Sequence, residues 1–371
     1  MNIISYSEIQ VLKSPLNIFL LRLPNFFFRH VNKIKRKLSF DAWSISNRHD
    51  ADESIKVLFI GKNEIDKNYF CNLIFNENCD DIYLGRVGIW RLLFYYLGCK
   101  KNYDLIIVRS RMKLCNLFKS KRNFVVPAWV DCEIDLRGDM GSLSMSKKRL
   151  KNNLRKIKRG NFRYATTKDP VDFHFFYYKM HLPYISKRHT DAAFKMSYKE
   201  MKESFENGEL LQIKEGQRIV AGVIIDYKMM NGVPRITKLG VLEGDFEYVK
   251  RGALIALYYY TIRYLKERNF EKFSLGSTRP FFSDGVLQHK LNWGAKIVCE
   301  SSNAFLLSLL SKNKCLNSFL SSNPFILRNR NSLTLATFSD PSSNECPYLP
   351  KDKEKLKLCG LEKSTSYNLV G

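Results

Sequence analysis

Residues 235–295 constrain this chain most, because ITKLGVLEG, DFEYVKRG, ALIALYYYTIRYLKERN, FEKFSLG and STRPFFSDGVLQHKLNWGA read in turn as strand, loop, helix, strand and turn. Lys250-Arg251-Gly252-Ala253 stand immediately before the helix. A corner of that kind points backbone N–H groups, the positive end of a helix and two cations at one place. A phosphate is the expected occupant, and an ordinary basic helix start is the alternative reading.

Upstream, GELLQIKEG, QRIVAGVIIDYKM and PRITKLGVLEG predict three strands of an antiparallel meander. Glu215-Gly216 and Asn231-Gly232 mark the reversals, since Asn-Gly suits turns in which both residues take positive φ. Residues 146–159 predict a strongly basic helix, capped by Ser146 and stopped by Gly160. Residues 171–181 and 198–207 predict two more helices. After Glu300, NAFLLSLLSK predicts a helix and SLTLATF a last strand; the Pro-, Ser- and Lys-rich residues from Pro341 predict a mobile tail.

From Ile55 the chain alternates short apolar runs with helical patterns, as in IKVLFIG, NYFCNLIF, YDLIIVRS and NFVVPAW. That alternation predicts a small α/β unit with a mainly parallel sheet. Gly61-Lys62 follows a strand but lacks the upstream glycine and the following Ser or Thr of a nucleotide-binding P-loop, so none is assigned. The expected division is a basic amphipathic segment over 1–50, the small α/β domain over 51–138, a second domain over 139–340 and a flexible tail over 341–371.

A chain of 371 residues with 45% hydrophobic residues can bury a core in each of two domains. The net charge of +25, gathered at 33–37, 147–159 and 250–251, predicts a polyanionic partner: a phosphate-bearing cofactor, a nucleic acid or an anionic membrane. A compositional bias toward Lys and Asn accounts for the same charge without any partner. Nine cysteines without C-x-x-C spacing predict free thiols in a reducing cytoplasm and no metal site. His181 and His189 flank Tyr184 and Arg188 at a spacing that fits no familiar metal motif. Residues 1–11 are polar, and the apolar run after them is broken by Pro15, Arg22 and Pro24, which predicts neither a secretory signal nor a span. Residues 16–38 read either as a helix lying flat on an anionic membrane or as one packed on its own domain.

The order of elements around the 250–253 corner resembles the GNAT acyltransferase superfamily. Within it, the resemblance is to the branch of FemAB-like aminoacyl transferases and related acetyltransferase domains of cell-envelope biosynthesis. Ser146-Lys147-Lys148-Arg149 through Arg159-Gly160 is similar to that branch's basic helix, and Gly285 through Lys290-x-x-Trp293-Gly294 to its closing motif. The resemblance covers roughly residues 140–300. It implies a mixed, largely antiparallel central sheet flanked by helices, an α/β (α+β) fold whose first region is a degenerate copy of the second.

It also implies an N-acyltransferase, an acetyltransferase first of all, acting in polysaccharide biosynthesis on the cytoplasmic side of the membrane. The acceptor would be an amino group of a sugar or peptide precursor, free or lipid-linked. The donor is acetyl-CoA or another acyl-CoA, its pyrophosphate held at Lys250, Arg251, Gly252, Ala253 and Leu254, although this loop carries less glycine than the family's. Aminoacyl-tRNA is the alternative donor, and a non-catalytic module on an anionic membrane or partner is the alternative role. Lys290 is the residue expected near the reacting carbonyl, a surface lysine being its other reading. Glu243 and Asp284 are the candidate bases, which burial would tune. Tyr178, His181, Tyr184 and Arg188, mixing aromatic and basic character, are the candidate acceptor residues; a plain domain interface has the same composition.

Overall fold

The computed structural model of the protein describes residues 39–47, 55–76, 78–88, 102–138, 147–188, 196–228, 232–299, 301–311, 313–329, 332–339, 349–350 and 353–368. Among them, sixteen strands form three sheets. In chain order these are β1 Ser39–Asn47, β2 Val57–Gly61, β3 Cys79–Gly88, β4 Leu105–Arg111, β5 Asn123–Pro127, β6 Val130–Asp135, β7 Phe162–Thr167 and β8 Gly208–Glu215. There follow β9 Arg218–Asp226, β10 Arg235–Val241, β11 Lys272–Thr278, β12 Lys296–Val298, β13 Asn303–Leu309, β14 Phe325–Asn329, β15 Ser332–Ser339 and β16 Lys363–Asn368. The fold is mixed α/β, its sheets largely antiparallel and flanked by helices.

The central sheet has seven strands in the order β12-β6-β11-β10-β9-β8-β7. β8 through β10 form the expected meander, reversing at Gly216, whose φ of +60° suits a residue without a Cβ, and β7 adds antiparallel to β8. Asn231, at the other expected reversal, lies outside the described residues, as do His189 and residues 16–38. Helix Tyr198–Glu206 starts with a reciprocal capping box between Ser197 and Glu200. Its Met201 and Phe205 pack with Phe173 and Phe176 in the core of this sheet. Helix Ala253–Glu267 adds Ala256, Leu257, Ile262 and Leu265. Each large apolar side chain buried in this way contributes about 1.5–3 kcal/mol.

The six-stranded sheet has the order β3-β1-β2-β4-β13-β5, and the three-stranded sheet β14-β15-β16. Here several sequence expectations are corrected. Only β2 and β4 pair in parallel in the six-stranded sheet, because β13, arriving from far down the chain, inserts antiparallel between β4 and β5. NAFLLSLLSK is therefore β13 and not a helix: its six residues after Asn303 are all buried, and a continuous apolar run has no periodicity to separate the two states. The expected flexible tail contains helix Lys353–Leu358 and β16, which adds to β15 in parallel and is anchored by buried Leu356 and Leu361. Nor do the sheets respect a division at 138/139, since β6 belongs to the central sheet and β13 to the other. Cys71 and Cys79, expected as free thiols, form a disulfide with Cα atoms 6.0 Å apart, because β3 starts beside the end of helix Glu64–Phe75.

A buried ionic triad ties the two larger sheets together. Asp66 accepts from Arg109 Nε of β4 at 2.9 Å and pairs with Arg279 Nη2, just beyond β11, at 2.7 Å. The Arg279 guanidinium also lies 3.9 Å from the Trp129 ring centroid and 4.5 Å from that of Tyr69.

Candidate active site at the parting of two strands

β10 and β11 are parallel neighbours, yet they share a single registered pair, Arg235 with Ser274. Both strands bulge just beyond it: β10 shifts register against β9 between Ile236 and Leu239, and β11 against β6 between Ser274 and Ser277. A bulge bends its strand, so the two part and leave backbone groups without a ladder partner. On the β10 side, the carbonyl of Leu239 meets Nδ1 of His181 at 2.9 Å. A π-helical turn, Phe176–His181, delivers that ring. The turn packs so closely on the strand that a Cβ at Gly240 would lie 2.6 Å from the His181 nitrogen.

On the β11 side, the carbonyls of Gly276 and Ser277 accept from Lys290 Nζ at 2.8 and 2.9 Å. Lys290 is buried, not a surface lysine, and burial lowers its pKa from the usual lysine value. Its third N–H has no partner among the described residues. Beside it, Arg235 pairs with Asp131 at 3.2 Å, and Ser277 Oγ bridges the two, accepting from Arg235 at 2.6 Å and donating to Asp131 at 2.7 Å. Burial pushes the neighbouring Cys132 thiol up to about 12, so it stays protonated and un-nucleophilic.

Lys290 lies on helix Gly285–Asn292, and the preceding residue on that helix, His289, is half-buried. Its ring meets Tyr258 edge-on at 4.8 Å, and Tyr258 stacks on Trp293 at 5.5 Å. Burial first, then the charges of Arg188 and Lys290, push the His289 pKa down to about 4, so the imidazole is neutral at pH 7. Its ring nitrogens hydrogen-bond to no described residue. Arg188 donates to the Tyr184 hydroxyl, and both residues lie within electrostatic range of buried Tyr258. Tyr184, Arg188, Tyr258, His289 and Lys290 thus form one constellation drawn from three helices.

The other sequence candidates lie differently. Asp284 is the N-cap of helix Gly285–Asn292; its Oδ1 accepts from the amides of Val286 and Leu287 at 2.9 Å and from Thr278 Oγ1 at 3.1 Å. Glu243 is exposed, 3.7 Å from Lys179, with its φ at +52°. Tyr178 is exposed and stacks on Tyr198 at 5.8 Å. His181 is buried; burial lowers its pKa to about 4, which makes it a strut between helix and strand.

That strut gives a pH prediction. The folded-state pKa of His181 is depressed, so its stabilisation is fully present above the unfolded value near 6.5 and is lost as pH falls toward 4. Unfolding midpoints measured from pH 7 to pH 4 are expected to fall, with His181 contributing up to about 3 kcal/mol of the loss. His181→Gln should flatten that part of the profile.

The 250–254 corner also differs from expectation. Residues 246–251, read from sequence as loop, are a helix capped by Asp245, and the chain passes into helix Ala253–Glu267 through Gly252 at φ +109°. Gly252 N–H is taken by the carbonyls of Tyr248 and Val249. Gly252, Ala253 and Leu254 are buried, and Lys156 of helix Lys147–Arg159 lies against Gly252. Lys250 pairs with Glu247 at 2.6 Å, and Arg251 with Glu215 at 2.9 Å. Both cations of the corner are therefore paired with carboxylates as folded.

Uncommitted positive charge lies instead on the helix packed over that corner. Lys147–Arg159 carries Lys147, Lys148, Arg149, Lys151, Arg155, Lys156, Lys158 and Arg159 and no acidic residue. Lys148, Lys151, Arg155, Lys156, Lys158 and Arg159 are exposed, and none pairs with a described acidic residue. Like charges at i,i+4, such as Lys151 with Arg155, and cations in the first turn both disfavour a helix. A bound polyanion would relieve both.

No protein-family profile and no curated sequence matches the chain. Among solved structures it is similar to L-PGS from Bacillus licheniformis, at 12% identity over 73% of this chain and 82% of that one, with a TM-score of 0.38. It is similar to FemX, at 11% identity over 73% of this chain and 89% of that one, with a TM-score of 0.37. A GCN5-related N-acetyltransferase from Anabaena variabilis matches at 9% identity over 91% of this chain and 84% of that one, with a TM-score of 0.31. Among the described residues no helix is long and apolar enough to cross a membrane, and no cluster of His, Cys, Asp or Glu could hold a metal ion.

Proposed function

We propose that this protein is a GNAT-type transferase that moves an acyl or aminoacyl group onto an amine, with the reaction centred where β10 and β11 part. The single-rung pairing of those strands carries the reading, because it parts them beside a buried ammonium and a neutral imidazole. In the proposed step the acceptor nitrogen attacks the donor carbonyl, the C–N bond forms and the bond to the carrier breaks. His289 removes the proton of the attacking amine and returns it to the leaving oxygen or sulfur. The third N–H of Lys290 faces the developing oxyanion, where a desolvated charge acts most strongly. Tyr184 and Arg188 orient the acceptor. An amino-bearing sugar or peptide precursor of surface polymers is the acceptor class, and the cytoplasmic side of the membrane the place of action.

For the donor, the carboxylate-paired cations of the 250–254 corner and the exposed Lys148, Lys151, Arg155 and Lys158 of helix Lys147–Arg159 favour an aminoacyl-tRNA over acyl-CoA. Acyl-CoA, acetyl-CoA included, remains the second reading because Lys156 sits against Gly252 at the start of a long helix. Binding titrations with tRNA and with CoA between 50 and 200 mM salt separate them, ionic strengths over which contacts to several phosphates lose orders of magnitude in affinity. The expected result is steep salt dependence for tRNA, reduced by about one unit of slope for each of Lys148, Lys151, Arg155 and Lys158 changed to Gln. Tight, salt-tolerant CoA binding would reverse the assignment. Absence of transfer with either donor would leave no basis for an enzyme.

A further inference from the structure

A second site lies away from the central sheet. A cleft of about 410 Å³ is lined only by residues outside that sheet: the loop at Lys121 and Arg122, the β13 end, helix Lys314–Ser322, β15 and β16. That volume is in the range of small-ligand sites, about 300–1,000 Å³. Its floor is apolar and fixed. Phe124 and Phe338 are buried, Phe124 meets Tyr367 edge-on at 4.9 Å, and Tyr367 stacks on Phe338 at 5.5 Å. Tyr367 is only half-buried, so part of its ring faces the cleft.

The rim is cationic by construction. Ser120 and Asn123 exchange two backbone hydrogen bonds at 3.3 Å, which closes a tight turn with Lys121 and Arg122 as its two central residues. Ser120 Oγ accepts from the Arg122 amide at 3.3 Å, fixing the turn further. Neither side chain has an ion-pair partner among the described residues. Elsewhere in this part of the fold Lys67 pairs with Asp81, and Arg109 and Arg279 with Asp66. Across the cleft, Asn317 and Asn368 bring amides to the lining.

We propose that this cleft binds a phosphorylated ring compound, a nucleotide or a sugar phosphate, with the ring on the Phe124–Tyr367–Phe338 floor and the phosphate between Lys121 and Arg122. The fork of an arginine and the point charge of a lysine, side by side, match a phosphate group. An apolar aromatic floor adds ring contacts that a free inorganic anion cannot make. The site is independent of the proposed transfer reaction, because no lining residue belongs to the central sheet or its helices.

The test is thermal unfolding and calorimetric titration of the full chain with UMP, glucose 1-phosphate and inorganic phosphate as separate probes. At least one ring-bearing probe is expected to bind, with inorganic phosphate at least about tenfold weaker, one charge-assisted or stacking contact being worth that factor. Lys121→Ala with Arg122→Ala, both on an exposed turn, should weaken the ring-bearing probe by at least about tenfold. Asn317→Trp, which fills the cleft and leaves the cations in place, should block the ring compound and spare inorganic phosphate. Equal binding of inorganic phosphate, binding that survives the double variant, or no binding of any probe would each overturn the proposal.

Discussion

Replacing Arg279 by alanine is expected to destabilise the protein by about 3–5 kcal/mol, the usual cost of breaking a buried ion pair from one side. Arg279 and Asp66 are 5% and 3% exposed, so water cannot compensate Asp66 for the lost partner. Arg109 would remain at 2.9 Å, but it already satisfies the other carboxylate oxygen. The substitution also empties the space beside Trp129 and Tyr69. Because Arg279 follows β11 of the central sheet and Asp66 lies on a helix of the six-stranded sheet, the loss should fall on the joint between them. Denaturant unfolding followed by fluorescence of Trp129 and Trp43 is the measurement. A shift under about 1 kcal/mol, typical of a surface pair, would mean that the triad is hydrated in solution. Arg279→Met together with Asp66→Leu should recover much of the loss, since it removes both buried charges.

Lys290→Met is expected to lower turnover by about 10²–10³-fold, the range found on removing one oxyanion donor. The change keeps the length and apolar stem of the side chain while removing the charge. It also leaves the Gly276 and Ser277 carbonyls without their present donor, at about 1–3 kcal/mol in stability. A fold effect and a chemical effect therefore need separate readouts. If Lys290 acts on the transition state, kcat falls and KM stays near its original value, whereas a distorted cleft would raise KM. His289→Gln provides the companion measurement. With its pKa near 4, His289 is unprotonated throughout the neutral range, so if it takes the amine proton its loss should cost about 10²–10⁴-fold there with no shift in the position of an acidic limb. Wild-type activity unchanged by both substitutions would remove the catalytic reading of this cleft.

Much of the central sheet could be read directly from the chain. The meander of β8, β9 and β10 and the basic helix follow from alternation and turn residues acting over a few positions, whereas residues 285–292, read from the sequence as part of a turn, are the helix that carries Lys290. His289 stands next to Lys290 in the sequence and was still not distinguishable, because its value as a base comes from Tyr258, Arg188 and burial. Asp284 shows the reverse. The family resemblance made it a candidate base in a loop before Lys290, and the structure makes it the N-cap of the helix that carries Lys290.

The sequence by itself determined the three-strand meander, the basic helix and the placement of cationic charge, since these depend on neighbours within a turn or a strand. Only the tertiary structure decided that β10 and β11 part after one rung, that helix Lys147–Arg159 covers Gly252, that β13 joins the other sheet, and that β16 is a strand. Each of those outcomes is a pairing or a desolvation between segments far apart in the chain. Its free energy depends on which surfaces meet, and no local pattern encodes that.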